Sequence, residues 1–199
     1  MKLPVAYYQT NDVVSIAKGL LGKYLLTNIQ GQLTGGMISE TEAYAGIHDR
    51  ASHAYGGRRT NRTEIMYRKG GICYIYLCYG IHYLFNVVTG DLDVPHAVLI
   101  RSIFPLIGVE TMAKRTRKSN IDQTISNGPA KLTKALGISL LYNGISLDGN
   151  SIWIEERGIK ITKSDIQITK RIGIEYADSD ALLPYRFLLK QGMDIKKTP

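Results

Sequence analysis

The 199-residue sequence contains only two cysteines and six prolines. It also lacks any stretch approaching the ~20 apolar residues of a membrane-spanning helix. The N-terminus, MKLPVAYYQT, lacks the apolar core of a secretory signal. We therefore expect a soluble cytoplasmic protein with no membrane partner. Cys73 and Cys78 lie five residues apart in one predicted strand, so they face opposite sides of a sheet and are expected to be free thiols.

The four histidines form no HxxxH spacing and the cysteines no CxxC pair, so neither a metal site nor a metal cofactor is expected. The formal net charge is +8 and the pI is near 9.4. An excess of Lys and Arg favours polyanionic partners, such as nucleic acid or an acidic membrane, without giving specificity. The length suits one domain spanning residues 1–199, with a monomer as the default and a frayed KKTP tail.

The stretch from Gly70 to Asn86, GGICYIYLCYGIHYLFN, has the alternation of a β-hairpin around a Tyr-Gly breaker. A two-residue loop would set Tyr76 opposite Tyr83. A three-residue loop, 79–81, separates an apolar face from a face carrying phenols, an imidazole and a carboxamide, and is the preferred register. Either loop leaves a tyrosine near the tip, and tyrosine is also simply a good strand former.

The remaining segments predict an α+β fold with a curved, largely antiparallel sheet, flanking helices and a protruding hairpin. Helices are predicted after Asn11 or Asp12, from Gly108 to Thr116, and from Pro129 to Gly137. Further strand candidates are residues 23–29, 37–44, 96–103, 147, 151–155, 166–172 and 185–189.

Charged residues on two predicted strands indicate a site. Period two places Glu40, Glu42 and Tyr44 on one face of their strand. Arg101 lies in the otherwise apolar strand HAVLIRSI, and a lone buried charge is very costly. Glu40 or Glu42 is therefore expected to pair with Arg101. Between the strands, the irregular segment 45–71 combines glycines with several arginines, which suits contact with phosphates.

Five motifs in order carry a resemblance. They are ETEAY (Glu40 to Tyr44), His53 with YGGRRTNR, YIYLCYG with Asn86, VLIR ending at Arg101, and NGPAKL from Asn127. Together they resemble the alkyladenine DNA glycosylases, also called 3-methyladenine DNA glycosylases of the mammalian type, over nearly the whole chain. The resemblance implies a monofunctional enzyme that flips a damaged purine out of duplex DNA and hydrolyses its N-glycosidic bond without a cofactor. It implies that Glu42 activates the water and that Arg101 helps hold it.

The resemblance also implies a base pocket. Tyr44, His53 and Tyr76 match the groups that sandwich the extruded base. Asn86 matches the residue that crowds the 2-amino group of guanine. Leu99, on the strand face shared with Arg101, is placed in the same pocket.

Contacts to DNA are implied outside the pocket. Tyr79 matches the wedge inserted where the base had been, and Met66 matches a second residue lying against the distorted duplex. Arg58, Arg59 and Arg62 of the Gly-Arg loop are expected to contact DNA phosphates.

Alternatives stay open at this point. Glu40 shares a face with Glu42 and is a second candidate for the base, and His53 is a candidate proton donor for neutral leaving bases. A non-catalytic nucleic-acid-binding module is the main alternative function, because a similar fold is associated with the RNA-contacting C-terminal domain of methionyl-tRNA formyltransferase. A small-molecule hydrolase would leave the basic loop and Tyr79 without a role.

Overall fold

The computed structural model describes residues 1–119 and 122–190. Three α-helices lie in this part of the chain: α1 Val13–Gly19, α2 Val109–Thr116 and α3 Pro129–Leu136. The strands are β1 Tyr24–Ile29, β2 Gln32–Tyr44, β3 Cys73–Cys78, β4 His82–Thr89, β5 His96–Ile107, β6 Ile152–Glu155, β7 Ile166–Thr169 and β8 Arg186–Leu189.

The strands form one antiparallel sheet in the order β3-β4-β5-β2-β1-β6, with β8 also paired to β2 and β7 paired to β8. The long strand β2 pairs with β1 along residues 32–37 and with β8 along residues 40–42. Register shifts against β5 occur at Gly35 and Gly36 and on both sides of Glu40. Bulges increase local twist, so they help to curl the sheet into a half-barrel. The predicted α+β class and the largely antiparallel sheet are confirmed.

The β3–β4 hairpin has the preferred register. Cys78 pairs with His82, which leaves a three-residue loop, and Tyr74 pairs with Asn86. Tyr79 and Gly80 both adopt left-handed backbone conformations, with φ of 50° and 72°. Such a φ suits glycine but costs a residue with a Cβ about 1–2 kcal/mol. Tyr79 is therefore held at the tip despite an unfavourable backbone.

The helix ends follow the sequence signals. The Asp12 carboxylate accepts the Ser15 N–H at the start of α1, which selects Asp12 over the alternative cap. Helix α3 begins at Pro129 and ends at Leu136, and the following Gly137 caps it with a φ of 73°. Within the irregular segment 45–71, Glu64–Tyr67 form a four-residue 3₁₀ turn. The strand predicted through residue 172 ends at Thr169, and Leu147 lies in no strand.

The main hydrophobic cluster packs α1, α2 and α3 with residues from most strands, including Ile38, Phe85 and Phe187. Both cysteines are free, as predicted, with Cys73 buried in this cluster. No helix within residues 1–119 and 122–190 combines the length and the apolar character needed to cross a bilayer. The tail predicted to fray lies outside the described residues.

Candidate active site

A cleft of about 410 Å³ opens beside the hairpin. It exists because strand pairing places Tyr74, Asn86, Leu99 and Glu42 in one row across β3, β4, β5 and β2. Directly paired residues of antiparallel strands point to the same face of the sheet. Nine predicted site residues line the cleft: Tyr44, His53, Arg62, Met66, Tyr76, Tyr79, Asn86, Leu99 and Arg101.

Three rings form one wall. The His53 and Tyr76 ring centroids are 4.6 Å apart with an interplanar angle of 80°, and Tyr74 lies 5.5 Å from Tyr76. The Arg62 guanidinium lies 4.9 Å from the Tyr76 ring centroid. Tyr44 lines the cleft from β2. Aromatic side chains from three parts of the chain therefore surround a space suited to a flat, electron-poor ligand.

His53 contacts two polar groups beside the cleft. Its Nδ1 lies 2.8 Å from the Tyr74 hydroxyl, within hydrogen-bond distance. Nη2 of Arg62 lies 3.1 Å from Nε2 and 3.5 Å from Nδ1 of the ring. Burial, together with the charges of Arg62 and Arg58, lowers the pKa of His53 to about 4. His53 is therefore neutral at pH 7 and poorly suited to protonate a leaving base.

Glu42 lies directly behind the cleft wall. Its side chain has no exposed surface, and its oxygens accept hydrogen bonds from the Tyr44 hydroxyl and the Ile172 N–H, both at 2.9 Å. Arg101 Nη1 lies 3.2 Å from Oε2. All three partners line the cleft, although Glu42 itself does not. Because this side chain is fully covered, water reaches the carboxylate only when a covering group moves.

Two opposing effects act on the pKa of Glu42. Burial raises the pKa of the Glu42 carboxyl, while the Arg101 charge and the hydrogen bonds from Ile172 and Tyr44 lower it. The net direction is upward. A carboxylate with a raised pKa is a better proton acceptor once it is ionised. Arg101 also donates through Nε to Glu40 at 2.7 Å, so the predicted pairing holds with both glutamates.

A buried ion pair behind Tyr44 was not predicted from the sequence. Arg171 donates to both carboxylate oxygens of Asp49, and their side chains are 0% and 1% exposed. The Arg171 guanidinium also lies 4.8 Å from the Tyr44 ring centroid and donates to the Ala43 carbonyl. This pair fixes the start of residues 171–174, which bring the Ile172 N–H to Glu42.

The rim of the cleft is apolar and exposed. Tyr79 at the hairpin tip is 88% exposed and Ile81 is 72% exposed. On another part of the rim, Tyr176 is 66% exposed and donates to the Ala51 carbonyl. Exposed large apolar side chains grouped around a cleft are typical of binding surfaces. Ile81 and Tyr176 were missed because neither belongs to a recognised motif.

Met66 faces inward. Only 2% of its surface is exposed, and it packs in a cluster with Tyr74 and Val88 while lining the cleft. The contact predicted between Met66 and a distorted duplex stays a prediction. The short segment EIMY lies in a loop rich in charged residues, so the sequence gave no indication of this burial.

The three loop arginines differ in their surroundings. Arg59 is paired with Glu64 and Asp93, both at 2.7 Å, and so braces the loop. Arg62 lies over Tyr76 at the cleft, and Arg58 makes no side-chain hydrogen bond to any described residue. All three are exposed, and their contacts to phosphates stay predictions.

Asn86 and Leu99 lie side by side on β4 and β5 at the cleft floor. Asn86 is 3% exposed, and its Nδ2 donates to the Tyr74 carbonyl at 3.2 Å. This hydrogen bond fixes the orientation of the amide beside the cleft. A fixed carbonyl oxygen at this position selects ligands by where they carry N–H groups.

Comparisons with known proteins agree with this geometry. A family model described as methylpurine-DNA glycosylase matches residues 6–193. A Chlamydia abortus protein named "Putative 3-methyladenine DNA glycosylase" is 48% identical over 188 residues, covering 94% of this chain and 97% of the relative. Proteins of the same name from Natranaerobius thermophilus and Clostridium perfringens are 41% and 42% identical, covering 97% and 100% of the relatives and 96% and 99% of this chain.

Proposed function

This chain belongs to the methylpurine-DNA glycosylase family, and from that premise we propose that it excises damaged purines from duplex DNA. The proposed substrates are alkylated and deaminated purines of the 3-methyladenine, 7-methylguanine, hypoxanthine and ethenoadenine class. The reaction is hydrolysis of the N-glycosidic bond, acting as a monomer and leaving an abasic site. The observation that carries the proposal is a buried carboxylate, Glu42, directly behind an aromatic cleft whose rim bears the exposed Tyr79.

The rim and the cleft supply the energy for base extrusion. Turning a nucleotide out of a duplex costs a few kcal/mol of stacking and pairing. Tyr79 fills the vacated space, and the rings of Tyr44 and Tyr76 recover ~1–3 kcal/mol of stacking. A cationic methylated purine stacks on phenol rings better than a neutral base does. The pocket therefore favours bases that are already good leaving groups.

Glu42 and Arg101 supply the chemistry. Cleavage of the glycosidic bond develops positive charge on the sugar, which an ionised carboxylate stabilises. The same carboxylate takes the proton of the attacking water. Arg101 keeps Glu42 in its charged form and holds the water. The charge already present on a methylated base removes the need for a proton donor, and His53, which is neutral at pH 7, is not assigned that role.

A product assay tests the proposed function. A duplex oligonucleotide carrying 7-methylguanine is incubated with excess protein, free base is measured by chromatography, and the strand is analysed before and after alkali. The proposal predicts free 7-methylguanine and a strand that breaks only after alkali, as an abasic site does. Binding of the duplex without release of base would instead identify a non-catalytic nucleic-acid-binding module.

A further inference from the structure

Four charged side chains alternate in sign through the interior beside the cleft. Arg186 Nε donates to Glu40 Oε1 at 2.6 Å, and Arg101 Nε donates to the same oxygen at 2.7 Å. Arg101 Nη1 then lies 3.2 Å from Glu42. The side chains of Arg186, Glu40, Arg101 and Glu42 are 19%, 9%, 11% and 0% exposed. The charge therefore alternates from the cluster's more exposed end to its fully buried carboxylate.

The fold brings these groups together because β2 is flanked by β5 and β8 at this point. Glu42 pairs with Arg186 on β8, and Glu40 pairs with Ser102, next to Arg101, on β5. Register shifts on either side of Glu40 leave this residue out of the regular ladder with β5. The irregular pairing lets one carboxylate oxygen of Glu40 meet arginines from both neighbouring strands.

Without Glu40, Glu42 would be the one carboxylate left in this cluster to balance the charges of Arg101 and Arg186. Nearby charges at a part-buried site interact strongly, because water screens them incompletely. The two Glu40 contacts thus offset the repulsion between Arg101 and Arg186. They also fix the rotation of the Arg101 guanidinium, because Nε and Nη1 are bound to different carboxylates.

We propose that Glu40 and Arg186 are positioning residues that hold Arg101 against Glu42 and set the charge balance of the water-activating carboxylate. This inference rests on the proposed function. Glu40 contributes a negative charge and Arg186 a positive charge to the surroundings of Glu42. The other groups facing Glu42 are the Tyr44 hydroxyl, the Ile172 N–H and, behind Tyr44, the buried Arg171–Asp49 pair. None of these is changed by the substitutions below.

Removing the charge of Glu40 and removing the charge of Arg186 should shift the pH dependence of cleavage in opposite directions. Single-turnover release of 7-methylguanine should rise with pH as Glu42 ionises. Glu40→Gln removes a negative neighbour, so the midpoint of this rise should move about one pH unit lower. Arg186→Gln removes a positive neighbour, so the midpoint should move higher by a similar amount. The double variant Glu40→Gln/Arg186→Gln keeps the net charge and should return close to the wild-type midpoint.

The control is Glu110→Gln, the same substitution at an exposed glutamate on α2. Titration of the substrate itself affects all the variants equally. Differences between their pH–rate profiles therefore reflect ionisation of the enzyme. A purely structural role would lower the plateau rate in each variant without moving the midpoint, which would overturn the inference. If Glu40→Gln does not fold, Arg186→Gln and the double variant still distinguish the two outcomes. Absence of base release by the wild type would instead overturn the proposed function, and this inference with it.

Discussion

Replacing Asp49 with asparagine should destabilise the fold by about 3 kcal/mol. The Asp49 and Arg171 side chains are 1% and 0% exposed, so the substitution leaves a guanidinium charge in the interior without a counter-charge. Removing one partner of a buried pair costs about 3–5 kcal/mol. We expect the lower end of this range because Arg171 keeps the carbonyl oxygens of Ala43 and Asp180 as acceptors.

The same two segments of the chain provide a matched control. Arg50 pairs with Asp178 at 2.9 Å, but these side chains are 44% and 76% exposed. An exposed pair contributes ~0–1 kcal/mol, so Asp178→Asn should change stability little. For a protein of this size 1 kcal/mol corresponds to roughly 2–4 °C, so Asp49→Asn should lower Tm by about 6–12 °C.

Thermal and urea unfolding followed by circular dichroism would measure both variants. The double substitution Asp49→Asn/Arg171→Met should recover part of the loss, because it removes the unpaired charge along with its partner. A change in unfolding free energy below about 1 kcal/mol for Asp49→Asn, or one equal to that of Asp178→Asn, would mean that the buried pair stabilises the fold no more than an exposed pair does.

Three further predictions concern the cleft and its rim. Tyr79→Gly relieves a left-handed φ of 50°, so Tm should stay the same or rise. The affinity of this variant for an abasic-site duplex at high salt, measured by fluorescence anisotropy, should fall at least about tenfold. Unchanged affinity would show that Tyr79 does not insert into the duplex. The imidazole of His53 should titrate by NMR with a pKa of about 4, and a midpoint near its ordinary 6.5 would contradict the buried contacts described above. Cys78 lines the cleft, so it should react with a thiol reagent in the folded protein and be protected by an abasic-site duplex. Cys73 is fully buried and should react only on unfolding. Equal reaction rates for the two thiols would contradict this prediction.

Two features of the structure could be predicted from the sequence: the register of a hairpin whose strands are adjacent in the chain, and the pairing of a buried charge. The hairpin register followed from the alternation around Tyr79, because only one loop length separates the apolar face from the polar face. The pairing of Arg101 with Glu40 and Glu42 followed from the cost of an unpaired buried charge.

Contacts between distant irregular segments were not predictable in this way. Asp49 and Arg171 are 122 residues apart and both lie outside strands and α-helices, so no periodicity marks them as buried. The alternating pattern predicts a strand through residue 172, but β7 ends at Thr169 and Ile172 instead lines the cleft. Met66 lies in a loop rich in charged residues, and composition alone could not show that its side chain faces inward.

The role of Glu42 in hydrolysing the bond to an extruded purine can be measured by single-turnover release of 7-methylguanine from a duplex. The wild type, Glu42→Gln and the control Glu110→Gln are compared, together with the affinity of each for the same duplex. We expect Glu42→Gln to keep its affinity within a few-fold and to lose base release, while Glu110→Gln matches the wild type. Base release by Glu42→Gln at the wild-type rate would contradict this role.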